Sequence, residues 1–141
     1  MFKRVIIDMN ENIRILLVDD DPVFLFLHEM LLKKIGISVG ITKCGDGQQA
    51  LDFMEGQHQG TLFYVLLDIN MPVMNGWAFL SSIQHLSYIT HISVFIVSSA
   101  LHDGERDQEK HFPQVIGSFD KPLTLNDCRY ILEHIEGFDD Y

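Results

Sequence analysis

The sequence has few of the residues that build disulfide-bonded, membrane-spanning or nucleic-acid-binding proteins. Its 141 residues include two cysteines, Cys44 and Cys128, which are too few for a disulfide scaffold and favour a reducing compartment. No apolar run approaches the roughly 20 residues that a membrane-spanning helix requires. Basic residues are also scarce, since 10 Lys and Arg stand against 20 Asp and Glu, a formal net charge of −10. Because phosphate backbones select clusters of Lys and Arg, this charge argues against nucleic acid as a direct partner.

The rest of the composition is that of one folded domain. Hydrophobic residues make up 47% of the chain and charged residues 21%, which is typical of globular proteins. The length lies near the commonest domain size and requires no metal or disulfide for stability. The opening MFKRVIID has a basic pair, but its apolar run ends at Asp8 and no small-residue cleavage site follows, so a signal peptide is not expected. We therefore expect a cytoplasmic domain.

Short apolar runs alternate with longer amphipathic segments along the chain. Five runs predict buried strands at Ile13–Val18, Ile37–Thr42, Leu62–Leu67, Ile92–Val97 and Val115–Phe119, with Cys44–Gly47 as a turn. Helices are predicted from Pro22 to about Lys34, over Gln48–Glu55, from about Trp77 to His85 and from Thr124 to about Glu136, with a weakly helical Gly104–His111. Strands that are apolar throughout and alternate with helices form parallel sheets covered on both faces. The pattern predicts an α/β, doubly wound, flavodoxin-like domain with a five-stranded parallel sheet.

Residues suited to chemistry follow the first, third, fourth and fifth predicted strands. They are Asp19, Asp20 and Asp21 after the first strand, Asp68 after the third, Ser98 and Ser99 after the fourth, and Lys121 after the fifth. In a doubly wound sheet, ligands bind beyond the carboxyl ends of the strands. Clustered carboxylates are costly unless a cation neutralises them, and Mg²⁺ is the natural candidate for oxygen ligands. A metal beside a carboxylate, with a lysine and a hydroxyl opposite, is suited to phosphoryl transfer.

Each of these groups also has an ordinary structural interpretation. An acidic run at a strand end serves as a helix cap, paired serines form turns, and Lys-Pro before a helix is commonly a loop. What favours a functional site is that all the groups fall at the same edge of one predicted sheet.

The segments LLVDDDP, LLDINMPVMNG, FIVSSA and DKP occur in this order and resemble the receiver domain of two-component response regulators. The resemblance covers roughly Ile13 to Ile135, and the MPVMNG loop is its most specific part. It implies that Asp68 is the phosphoacceptor and that Mg²⁺ is the cofactor. By the same resemblance the metal site comprises Asp20 directly, Asp19 through water, Asp68, and the backbone carbonyl of Asn70.

The resemblance also assigns the remaining site residues. Ser98 stands at the position of the switch hydroxyl, and Ser99 at the residue whose backbone N–H helps to hold the phosphoryl group. Lys121 stands at the position of the lysine that pairs with the phosphoryl oxygens. The implied partners are a sensor histidine kinase or histidine phosphotransfer protein as donor and a downstream protein target, reached by protein–protein contact. The aspartyl phosphate would hydrolyse slowly, so the domain is expected to be a signalling switch and not a turnover enzyme.

The resemblance predicts the organisation of the chain as well. Residues 1–12 are an N-terminal extension, 13–137 the receiver domain and 138–141 a short acidic tail. Because the chain ends directly after the last predicted helix, we expect a stand-alone receiver, a monomer or weak dimer with no membrane contact. The first helix should pack one apolar stripe on the core and leave Phe26, with Met30 on its flank, exposed for docking a kinase or phosphotransfer helix. The core stripe comprises Phe24, Leu27, His28, Leu31 and Ile35.

One position departs from the family pattern. The residue three before Lys121 is Ser118, where the family usually has Tyr or Phe, and strand alternation should turn Phe119 to the other face. The usual aromatic switch is therefore absent or built differently. This departure motivates an alternative, a receiver-like protein-binding module that acts without phosphorylation. A phosphatase with an aspartyl nucleophile is a further alternative, but Asn70 breaks the Asp-x-Asp pair that such enzymes commonly have.

Overall fold

The structure is a computed structural model that describes residues 12–37, 40–99 and 103–135. Within these residues, five strands and five helices alternate. The strands are β1 (Ile13–Val18), β2 (Ile41–Cys44), β3 (Leu62–Leu67), β4 (Ile92–Ser98) and β5 (Val115–Asp120). The helices are α1 (Pro22–Lys34), α2 (Gly47–Gln57), α3 (Gly76–Ile83), α4 (Asp103–Gln108) and α5 (Leu125–Glu133), with 3₁₀ turns at Ile89–His91 and Glu109–His111.

The five strands form one sheet in the order β2-β1-β3-β4-β5, and every neighbouring pair is parallel. Successive residues of a strand face opposite sides, so each strand contributes to two apolar cores. Leu16 and Val18 lie in the core that includes residues of α2 and α3, whereas Ile15 and Leu17 lie in the core that includes residues of α1 and α5. The flavodoxin-like, doubly wound fold predicted from the strand pattern is confirmed.

Polar side chains fix where the helices begin, close to the strand ends. The Asp21 carboxylate accepts the Val23 N–H at 2.9 Å and caps α1, and Pro22 occupies the first helical position. Thr124 and Asp127 form a reciprocal capping box at the start of α5. Both helices therefore start within a few residues of the carboxyl edge of the sheet.

The second strand lies later in the chain than predicted. The expected run Ile37–Thr42 includes residues 38–39, which lie outside the described residues, and β2 occupies Ile41–Cys44. Gly40 has φ of 81°, so regular extended backbone begins only after it, although its carbonyl accepts the Ile15 N–H at 2.7 Å. Ile37 is apolar because it fills the α1/α5 core, not because it belongs to the strand. The prediction that Cys44 lies in a turn was wrong for the same reason, since it is the buried last residue of β2.

The buried face of α1 is rotated from the predicted stripe. His28 and Leu32 are its buried residues, with Leu25, Leu31 and Ile35 packed beside them, whereas Phe24 and Leu27 belong to neither apolar core of the described residues. The predicted exposure of Phe26 (62%) and Met30 (48%) is confirmed, and Val23 (68%) extends the exposed stripe. Docking of a partner on it stays a prediction. The predicted core position of Cys128 is confirmed.

The predicted ends of the chain fall mostly outside the described residues. Of the extension over residues 1–12, only residue 12 is described, and none of the acidic tail over 138–141 is. Within the described part of the chain, the helices are all too short or too polar to cross a bilayer.

Candidate functional site

Three charged residues occupy the first position after β1, β3 and β5. Each donates its backbone N–H to the last residue of a neighbouring strand and so extends the sheet's ladder by one hydrogen bond. These bonds run from Asp19 to Cys44 at 3.0 Å, from Asp68 to Val18 at 3.0 Å and from Lys121 to Ser98 at 3.1 Å. The backbone of the site is therefore held by the sheet itself, and the three side chains project from its carboxyl edge.

Lys121 bridges the two buried carboxylates. Its Nζ lies 2.6 Å from Asp19 Oδ2 and 3.2 Å from Asp68 Oδ2, and the three side chains are 6%, 6% and 4% exposed. Buried charges are tolerated only when they are paired and hydrogen-bonded. The two aspartates and the lysine thus depend on one another for their burial.

The electrostatics of this group are unbalanced toward negative charge. Burial raises the pKa of Asp68 above its ordinary value, and the neighbouring charge of Asp19 adds to this, although Lys121 opposes both. For Lys121, burial alone would lower the pKa, but hydrogen bonding and attraction to Asp19 and Asp68 hold the pKa above its ordinary value. Asp68 is therefore a carboxylate that the fold destabilises, next to an ammonium that the fold keeps charged.

The second oxygen of Asp68 faces a short polar chain. Its Oδ1 accepts the Asn70 N–H at 3.2 Å and the Ser98 hydroxyl at a long 3.5 Å. The Asn70 amide in turn donates to Ser98 Oγ at 3.4 Å. Ser98 is 1% exposed, so its hydroxyl is held in the site and is oriented toward the carboxylate.

Three carboxylates form a group with the spacing of a cation site. One oxygen from each of Asp19, Asp20 and Asp68 lies within 4.8 Å of the others. Asp20 is exposed, and within the described residues its carboxylate forms no hydrogen bond or ion pair. A hard divalent cation prefers such an all-oxygen set, and Mg²⁺ retains water on its open side. Asp21 is not part of this group, because its side chain caps α1.

The loop after Asp68 returns tightly to the sheet at Gly76. The Gly76 N–H donates to the Ile69 carbonyl at 2.8 Å. A Cβ at position 76 would lie 2.7 Å from the Ile69 Cα and 2.9 Å from the Asp68 carbonyl oxygen. Only glycine allows this approach, which explains physically why the loop motif ends in this residue. Asn75 then caps α3 by accepting the Ala78 N–H at 2.9 Å.

The structure brings most of the predicted site residues together. Asp19, Asp68, Ser98 and Lys121 are in contact, and Asp20 completes the carboxylate group. Asn70 contacts the site through its backbone N–H, which donates to Asp68, and its side-chain amide, which donates to Ser98. The predicted contact of its backbone carbonyl with the metal stays a prediction. Ser99 is exposed at the edge, and the phosphoryl contact of its backbone N–H likewise stays a prediction.

Phe119, two residues before Lys121, faces the side of the sheet opposite to Ser118. Ser118 pairs with Ile96 of β4, and Phe119 packs on the α1/α5 side, with its ring 6.0 Å from Phe95 and 5.8 Å from Tyr130. The expectation that Phe119 turns to the opposite face is confirmed.

Two residues near Lys121 were assigned only to the core by sequence reasoning. The Phe24 ring lies with its centroid 4.4 Å from Lys121 Nζ, and His28 Nε2 accepts the Leu123 N–H at 3.2 Å. The available signal was an aromatic and a histidine four residues apart on the helix that follows the acidic run.

A parallel sheet in this order, with carboxylates and a lysine at its carboxyl edge, defines a receiver-type signalling domain. The chain belongs to the response regulator receiver domain family, whose sequence model matches residues 15–133. It is 31% identical over 87% of its length to the autoinducer 1 sensor kinase/phosphatase LuxN of Vibrio campbellii, and it spans only 13% of that protein.

Solved structures of similar proteins share the fold. A two-component response regulator from Legionella pneumophila superposes with a TM-score of 0.76 at 29% identity, covering 86% of this chain and 96% of that one. The receiver domain of the sensor histidine kinase PA1611 from Pseudomonas aeruginosa gives a TM-score of 0.71 at 24% identity, covering 86% and 95%. That structure has a magnesium ion coordinated in its active-site cleft.

Proposed function

We propose that this receiver domain accepts a phosphoryl group on Asp68 in a Mg²⁺-dependent reaction and signals by protein–protein contact. The observation that carries the proposal is the Asp68 carboxylate, which is buried, destabilised as an anion, and hydrogen-bonded to Lys121 on one oxygen and to Asn70 on the other. The donor is a phosphohistidine on a sensor histidine kinase or histidine phosphotransfer protein, as is usual for the family.

The chain's own residues account for most of the chemistry. A carboxylate oxygen of Asp68 attacks the phosphorus, and an O–P bond forms as the N–P bond to the histidine breaks. The electron pair of the N–P bond stays on the departing imidazole nitrogen, which takes up a proton from water. Lys121 transfers its one hydrogen bond from Asp68 to a phosphoryl oxygen, and the Ser98 hydroxyl donates to another. Asp19 keeps one contact to Lys121 during this exchange. Asp19, Asp20 and Asp68 would hold Mg²⁺, which neutralises charge on the phosphoryl oxygens when bound.

The proposal includes a limit of one phosphoryl group per chain. The acceptor is consumed when Asp68 becomes an acyl phosphate, and the domain reacts again only after that bond is hydrolysed. A phosphatase would instead turn over a small phosphate ester repeatedly.

Intact mass after incubation with acetyl phosphate and Mg²⁺ tests the proposal. The wild-type chain should gain the mass of one phosphoryl group, and the gain should be lost with a chelator. Asp68→Asn should gain nothing. Asp52→Asn, which alters an exposed aspartate on α2, is the matched control and should react like the wild type. An adduct on Asp68→Asn would place the acceptor elsewhere, and no adduct on any variant would favour the binding module that acts without phosphorylation.

A further inference from the structure

The Lys121 ammonium contacts an aromatic ring as well as the carboxylates of Asp19 and Asp68. The Phe24 ring centroid lies 4.4 Å from Nζ, within the range of a cation–π contact. The Lys121 side chain is 6% exposed, so the contact forms where little water competes. Phe24 is only half-buried and belongs to neither apolar core of the described residues, so core packing does not explain its position.

The backbone that follows Lys121 is tied to the same helix. His28, one turn after Phe24 on α1, is 4% exposed, and its Nε2 accepts the Leu123 N–H at 3.2 Å. An accepting Nε2 places the ring proton of the neutral imidazole on Nδ1. The rings of Phe24 and His28 are 5.7 Å apart. Helix α1 therefore contacts Lys121 at its ammonium and the chain two residues beyond it.

We propose that Phe24 and His28 are positioning residues for Lys121, which together fix its ammonium between Asp19 and Asp68. Phe24 acts on the charge, because the face of an aromatic ring attracts a cation and the ring centroid lies 4.4 Å from Nζ. His28 acts on the backbone, because its hydrogen bond anchors the segment from which the lysine extends. The proposal rests on the proposed function in one respect, namely that the position of Lys121 sets the rate of phosphoryl transfer.

The first test uses the unphosphorylated protein and needs no donor. The side-chain Hε resonance of Lys121, assigned by its loss in Lys121→Arg, should be shifted upfield by the Phe24 ring current. Phe24→Leu should abolish the shift and Phe24→Tyr should retain it. Tyr130→Leu, an aromatic deletion on α5, whose ring contacts Phe119 and His134, is the control and should leave the shift unchanged. A wild-type resonance without an upfield shift overturns the proposal even if a variant fails to fold.

The second test measures the rate of phosphorylation by acetyl phosphate at saturating Mg²⁺. Loss of a desolvated cation–π contact should lower the maximal rate about three- to tenfold in Phe24→Leu, with Phe24→Tyr near wild type. His28→Leu leaves the Leu123 N–H without its acceptor and should show a similar loss. His28→Gln supplies a side-chain carbonyl and should restore most of the rate.

The two tests separate the possible failures. Leu variants with a wild-type rate and an unmoved Lys121 resonance would overturn the positioning role and leave the proposed function intact. Rates that follow only the melting temperature, with no rescue by Tyr or Gln, would also overturn it in favour of a purely structural role. If the wild type accepts no phosphoryl group, the proposed function fails, and the resonance still decides whether Phe24 positions Lys121.

Discussion

At the scale of single residues, Asp68 carries a charge that the folded domain makes costly. Its pKa is raised chiefly by burial and also by Asp19, so the folded state binds the proton more tightly than the unfolded chain does. The resulting contribution to stability is present below the unfolded pKa and is lost as pH rises through the folded pKa. At neutral pH the ionised side chain therefore lowers the free energy of unfolding.

The raised pKa of Asp68 leads to a prediction for the stability of the metal-free domain. Asp68→Asn should raise the melting temperature at neutral pH in the presence of a chelator, because the amide removes a buried negative charge beside Asp19. The advantage should shrink as pH falls through the folded pKa of Asp68. Thermal unfolding of both proteins across acidic and neutral pH is the measurement, with Asp52→Asn as the control. A lower melting temperature for Asp68→Asn at neutral pH would mean that the pairing with Lys121 outweighs the cost of burial.

Asp20 and Asp21 are adjacent aspartates with different roles, and substitution should separate them. Mg²⁺ stabilises whichever protein binds it, so its effect on the melting temperature reports the affinity of the site. Asp20→Ala should lose most of the Mg²⁺-induced rise and change little without the metal. Asp21→Ala should lose the α1 cap, about 1 kcal/mol, with and without Mg²⁺. Equal Mg²⁺ responses in the two variants would contradict the assignment of Asp20 to the carboxylate group.

The residue types in the sequence predicted the charged residues of the site but not the residues of α1 that contact Lys121 and the chain after it. Asp19, Asp20, Asp68 and Lys121 stand out because they follow separate predicted strands and yet fall at the same edge of one predicted sheet. Phe24 and His28 do not stand out, because an aromatic or a histidine on an apolar helix face looks the same whether it fills a core or contacts an ammonium. The rotation of α1 that separates these cases depends on contacts with distant parts of the chain.

At the scale of elements, the conformation of the β3–α3 loop requires a glycine at position 76. Gly76→Ala would bring a methyl group against backbone atoms of Asp68 and Ile69, which cannot move independently of β3. We expect a loss of about 1–3 kcal/mol in the free energy of unfolding, as for other overpacked sites, together with slower phosphorylation. Gly56→Ala on α2 is the matched control, because its Cβ would meet no atom within 4 Å and should be neutral or stabilising. Chemical denaturation of both variants is the measurement, and equal stabilities would show that the loop relaxes freely.

The predicted bounds of a strand were accurate where a polar residue ends its apolar run in the sequence. The bounds of β1 and β3 were correct, because Asp19 and Asp68 stop apolar runs abruptly. The prediction for β2 was wrong, because Ile37 and Ile41 are both apolar for different reasons, one as a core residue beyond α1 and the other as part of a strand. The conformation of Gly40 separates them, and a glycine in sequence does not reveal the sign of its φ.

At the scale of the whole molecule, the chain carries an excess of negative charge, and three of its carboxylates are grouped at the site. The chain has a formal net charge of −10, and three of its carboxylates lie within 4.8 Å of one another. Self-repulsion of this kind opposes the compact state and is screened by salt. The surface ion pairs of Glu29 with Lys33 and Lys43 act in the other direction, but both lysine side chains are about half exposed, and such pairs contribute little.

Raising NaCl should therefore stabilise the domain. The Debye length falls from about 30 Å at 0.01 M to about 10 Å at 0.1 M, which screens repulsion across the molecule but not the buried pairs of Lys121. We expect the melting temperature to rise over this range by a similar amount in the wild type and in Asp20→Ala, since screening needs no specific site. Replacing part of the NaCl with Mg²⁺ at constant ionic strength should add stability to the wild type and little to Asp20→Ala. A melting temperature that falls with NaCl would instead mean that surface ion pairs outweigh the net repulsion.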